Sequence, residues 1–150
     1  MKNFFETLVS NQILNVAVVC WFSAQALKVV GELIRHHKLD LGLFFAGGGM
    51  PSSHTSTVVG LTTAVLYRCG FSSTEFAVCM VLTSIVLFDA LNVRLESGKH
   101  AAALNEIVEN LSDSEPTSFY QKFKTPLGHT FPEVLTGMIL GIAIAVLMCN

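Results

Sequence analysis

Two histidines and a set of cations are the residues of this chain whose types and spacing could do chemistry. Lys28 and Arg35 stand seven apart, two helical turns, so on a helix they share a face. Ser52, Ser53 and His54 follow Pro51 in GMPSSHTS, where two hydroxyls, helix-start amides and an imidazole could hold an oxyanion. His129 and Glu133 in GHTFPEV are four apart, so a carboxylate one turn along can orient the ring and raise its basicity. Asp89, Asn92 and Arg94 close an apolar run. A carboxylate there is costly without a partner, and Lys28 or Arg94 could supply one. Together these groups could form an oxyanion site beside an oriented histidine.

The elements that must position them are read from composition. The chain has 150 residues, 51% hydrophobic and only 13% charged, against about 25% charged in an ordinary soluble domain. Mean hydropathy is +0.57. Such a chain is not disordered, and its length suits a single domain over residues 1–150. A formal net charge of −2, with no basic tract, excludes a strongly basic nucleic-acid binder. The expected class is an all-α integral membrane protein.

Four apolar stretches qualify as spans: Ile13–Val30, Thr55–Tyr67, Phe76–Val93 and Phe131–Cys149. The second is short and diluted by threonines. Leu41–Ala46 could form a re-entrant segment if protein covers it. In the long loop, Ala101, Leu104, Val108 and Leu111 fall on one face, so a short surface helix carrying Asn105 is expected there. The opening MKNFFETLVS lacks a small-residue cleavage site, so no cleavable leader is expected.

Four crossings place every motif on one membrane face. That face holds Lys28, Arg35, Lys38, Arg94, Lys99, Lys122 and Lys124, which is 7 of the 9 basic residues, and the positive-inside rule assigns it to the cytoplasm. Gly137-x3-Gly141 with Ala145 is a small-residue stripe, for packing within the bundle or, second, for a homodimer. The four cysteines show no CxxC pair, and the histidine–acid spacings fit no compact metal motif, so neither metal nor cofactor is expected.

Lys28-x6-Arg35, Pro51-Ser52-Ser53-His54 and His129-x3-Glu133, in that order, resemble the three-part signature of the type 2 phosphatidic acid phosphatases. The wider superfamily includes vanadium-dependent haloperoxidases. Most of the chain, including FDALNVRLESGKHAAALNEIV and LGHTFPEVLTG, is similar to a small divergent membrane branch of it. The resemblance implies a metal-independent phosphatase acting on a phosphate or diphosphate ester of a lipid-like substrate. It implies that Lys28, Arg35 and Ser52 bind phosphate, and that His54 protonates the leaving alkoxide. His129 would form a phosphohistidine, with Glu133 as its orienting acid.

The chain also departs from that signature. Ser53 replaces a glycine, Glu133 an aspartate, and Phe123 stands where the third motif has its arginine, so Arg94, or Lys122 or Lys124, must supply that cation. A second alignment, Arg94-x5-His100, has the arginine spacing but meets Leu104 where the acid should be. These departures keep two alternatives open: a non-catalytic protein retaining the phosphate pocket, and a small transporter with Asp89 on its path.

Overall fold

A computed structural model describes residues 6, 9–37, 42, 44, 49–112 and 130–150. The first helix, α1, runs Gln12–His36; Asn11 caps it by accepting from the Leu14 amide (3.1 Å), and His37, at φ 51°, ends it. Helix α2 is Ser53–Cys69, capped by Ser52 and stopped at Gly70. Helix α3, Thr74–Phe88, passes through a π-helical turn at Asp89–Val93 into α4, Arg94–Ser112. Helix α5, Phe131–Cys149, begins with Pro132 in its first turn and Glu133 bonded back to the Thr130 amide (2.8 Å). No strand occurs among the described residues.

Three of these stretches, Gln12–Arg35, Thr74–Glu109 and Phe131–Cys149, are long and apolar enough to cross a membrane. Their outward faces carry Phe22, Val81, Ile85, Phe88, Ile139 and Leu147, all exposed, a surface suited to lipid rather than water. The chain is an all-α integral membrane bundle.

The fourth stretch, α2, is the central helix, and its position explains its weaker hydropathy. It packs on α1, α3 and α5, so its hydroxyls meet protein instead of lipid. Thr57, Thr62 and Thr63 donate to the carbonyls of Ser53, Val58 and Val59 at 2.7–2.8 Å. The Thr62 and Thr83 hydroxyls meet at 2.8 Å and tie α2 to α3. Seventeen residues give about 25 Å of helix, short for a lipid-facing span but adequate for one enclosed by neighbours.

Backbone proximity holds α2 against α5. A Cβ on Gly137 would lie 2.6 Å from the Ser52 carbonyl oxygen, and one on Gly141 2.5 Å from that of Ser56. On α2 itself, a Cβ on Gly60 would strike the Cys20 sulfur at 2.3 Å. Ser52, Ser56, Gly60 and Ala64 thus face Gly137, Gly141 and Ala145, two small-residue stripes on parallel helices. Ala64 and Ala145 join Val16 and Cys20 in the fully buried core. The stripe on α5 is therefore used inside the chain, the first of the two uses its spacing suggested.

Two expectations need correction or placement. The expected surface helix is present: Ala101–Leu111 lies within α4, a longer helix that continues α3 through the π turn. Of the expected re-entrant segment Leu41–Ala46, only Gly42 and Phe44 are described. Phe44 rests against Trp21 and Phe22, with ring centroids 5.6 and 6.1 Å away, and its carbonyl accepts from the Gln25 amide (2.5 Å).

Candidate functional site

The end of α1, the start of α2, the π turn and the start of α5 come together at one end of the bundle. Two clefts lined by described residues open there.

The first cleft, about 320 Å³, is lined by Lys28, Gly31, Glu32, Arg35, Gly49, Met50, Thr130 and Glu133. Lys28, only 5% exposed, reaches Ser53 and donates from Nζ to its Oγ (3.3 Å). A lysine this far inside a membrane bundle is costly unless it has partners, and Ser53 is one of them. Gly49, at φ 92°, lets the loop run along the Lys28 stem, where a Cβ would sit 3.8 Å from Cδ. Arg35, two turns on, remains exposed at the rim with its planar fork available to an anion. From the other wall come Thr130 and Glu133. The Glu133 carboxylate accepts from the Thr130 amide, which orients it at the α5 start.

The second cleft, about 200 Å³, is lined by His54, Ile85, Val86, Asp89, Ala90 and Arg94. Arg94 Nε contacts Asp89 Oδ2 at 2.6 Å, one of the two pairings anticipated for the intramembrane carboxylate. Residues five apart lie about 140° round an ordinary helix. The i→i+5 turn brings these two into line, and the Arg94 amide bonds the Asp89 carbonyl across the same turn.

The structure therefore divides the sequence candidates. Lys28, Arg35 and Glu133 share the first cleft, with Ser53 against Lys28. His54, Asp89 and Arg94 share the second. Ser52 lines neither: it is fully buried, its Oγ accepts from Thr55 N (3.3 Å) and Thr55 Oγ1 (3.0 Å), and its amide donates to the Glu133 carbonyl (3.0 Å). Asn105 sits three turns along α4 from Arg94 and lines neither cleft. His129, Phe123, Lys122 and Lys124 lie outside the described residues, but Thr130, directly after His129, lines the first cleft.

Glu32 and Thr130 escaped the sequence reading. For Glu32 a signal existed. It is four residues after Lys28 and three before Arg35, so the face carrying those cations must carry it as well.

Comparison with known proteins agrees with this architecture. The chain is 35% identical over 135 residues to the uncharacterized membrane protein YuiD of Bacillus subtilis (strain 168), covering 83% of this chain and 85% of that one. No solved structure matches. A family model described as Divergent PAP2 family matches residues 9–144, nearly the whole bundle, and the chain belongs to that family.

Proposed function

We propose that this protein binds the phosphate of a lipid-like ester in the Lys28–Arg35 cleft and hydrolyses it through His129. The observation that carries the reading is convergence. Lys28 and Arg35 from α1 and Thr130 and Glu133 from the α5 start line one cavity, although about a hundred residues separate them in the chain. The two cations hold phosphate oxygens, Arg35 as a fork and Lys28 as a buried point charge fixed by Ser53. His129 Nε2 or Nδ1 attacks phosphorus, the ester oxygen leaves as an alkoxide that takes its proton from solvent water, and a second water then cleaves the phosphohistidine to release inorganic phosphate. A site at the bundle end, beside lipid-facing helices, suits an amphiphilic substrate. Lys28, Arg35 and Arg94 at that end favour a cytoplasmic orientation.

A second reading is binding without turnover. It is favoured by the placement of His54 and Arg94 in the other cleft, away from Lys28 and Arg35. Phosphate release from a panel of lipid phosphates and diphosphates by purified protein in neutral detergent separates the two. Turnover lost in His129→Ala supports the enzyme. Orthovanadate retained by a folded protein that releases no phosphate supports the binding protein, and failure of both sinks the phosphate reading.

A further inference from the structure

Helix α1 carries a glycine that packing does not explain. At Gly60, Gly137 and Gly141 an added Cβ would collide with a neighbouring sulfur or main-chain atom. At Gly31 it would meet nothing within 4 Å among the described residues, although glycine is poorly suited to the middle of a helix. Gly31 lines the first cleft, and its place on the helix is a boundary. At about 100° per residue, Lys28 and Arg35 lie about 60° and about 40° to one side of it. Leu27 and Ile34 lie about 40° and about 60° to the other, and both are exposed within the span Gln12–Arg35. The gap at Gly31 therefore joins the cation-bearing cleft to the lipid-facing surface of α1.

Resting on the phosphate reading above, we propose that Gly31 is the lateral doorway of this cleft, through which the alkyl chain of a phosphate monoester passes into the bilayer. The phosphate lies between Lys28 and Arg35, and the chain crosses Gly31 to lie beside Leu27 and Ile34. The volume, about 320 Å³, stands at the small end of ligand pockets; it suits a headgroup, so a long chain must leave. Lipid tails are as apolar as leucine, so contact with Leu27 and Ile34 adds little attraction. The gain is that the head enters the cleft while the methylenes stay out of water. Gly31 is thus a specificity-determining residue for chain-bearing over water-soluble phosphates; it takes no part in bond making.

The test uses ethyl phosphate and dodecyl phosphate, which share the headgroup and differ in chain length. Each displaces radiolabelled orthovanadate from full-length protein in nanodiscs of fixed lipid composition, with equal helical content verified for every variant. Partitioning of dodecyl phosphate into the bilayer is common to all variants and cancels between them. Gly31→Leu fills the gap and is expected to weaken dodecyl phosphate about tenfold more than ethyl phosphate, the worth of roughly two methylenes forced out of lipid. Gly31→Ala should shift the ratio of the two affinities in the same direction by less. Leu33→Phe adds bulk to the opposite, exposed face of α1 and should leave that ratio unchanged. An equal change for both ligands in Gly31→Leu, or the same shift in Leu33→Phe, overturns the doorway, and retained orthovanadate leaves the phosphate reading standing. If orthovanadate does not bind and neither ester is hydrolysed, both readings fall.

Discussion

The Ser52 amide donates to the Glu133 carbonyl at 3.0 Å, joining the serine of the second motif to the acid of the third. Neither group reaches ligand through this bond. Its effect is to lock the start of α2 to the start of α5, and a Cβ on Gly137 would fall 2.6 Å from the Ser52 carbonyl at the same place. The cleft wall that holds Thr130 and Glu133 is therefore fixed by main-chain contact to the start of α2, where Ser53 meets Lys28.

Crowding at that contact should be felt directly. Gly141→Ala places a methyl 2.5 Å from the Ser56 carbonyl oxygen and 2.9 Å from the Gly60 nitrogen, both backbone atoms that cannot swing away. The expected loss is about 1–3 kcal/mol, seen as a lower unfolding temperature in detergent. Gly31→Ala, with no atom within 4 Å, should be neutral or gain up to about 1 kcal/mol from helix propensity. Equal effects from the two substitutions would contradict the packing.

Lys28 and Arg94 should separate in vanadate binding. Lys28→Met removes the buried charge of the first cleft and is expected to weaken orthovanadate more than about tenfold, the cost of a charge-assisted contact. Arg94→Ala lies in the other cleft, paired with Asp89, and should change it less than about twofold. A large loss in Arg94→Ala would restore this arginine as the missing cation of the third motif.

Ser53→Ala deprives the Lys28 ammonium of its hydroxyl partner. Because that ammonium is buried, the unmade bond should cost about 1–3 kcal/mol of stability. The double variant Ser53→Ala with Lys28→Met should lose less than the sum of the two single variants. Strict additivity would show that the 3.3 Å contact contributes nothing.

The Thr62–Thr83 bridge offers a measure of interhelical polar contact. Valine at either position preserves shape and removes the 2.8 Å bond. A double-mutant cycle should give a coupling of about 0.6 kcal/mol, the range found for such bonds inside bilayers. A coupling near zero would mean that the Val58 and Cys79 carbonyls, both within 3.3 Å of these hydroxyls, satisfy them equally well.

Much of this arrangement was legible in the residues, for identifiable reasons. Apolar runs long enough to cross a bilayer announce helices whatever their neighbours, and an even number of them brings Lys28, His54, Asp89 and Glu133 to one end. The split of that end into two clefts was not legible. It depends on which side of α2 each side chain leaves, and helix rotation is set by packing that local spacing does not encode. The small stripe Ser52-x3-Ser56-x3-Gly60 was present in the sequence but obscured by its serines, which read first as chemistry. The joining of α3 to α4 was hidden by Arg94, Glu96 and Lys99, polar residues that resemble an exit from the membrane even where the backbone stays helical.

The π turn at Asp89–Val93 changes the angular phase of everything that follows it. One extra residue in a turn rotates the downstream helix by about 100° relative to an uninterrupted spiral. Arg94 is the first side chain after that offset, and the offset is what aims it at Asp89 and the His54 cleft. Shortening the turn by a single residue would leave composition, length and hydropathy almost untouched. It would nevertheless swing Arg94 and the whole polar face of α4 to another side of the molecule.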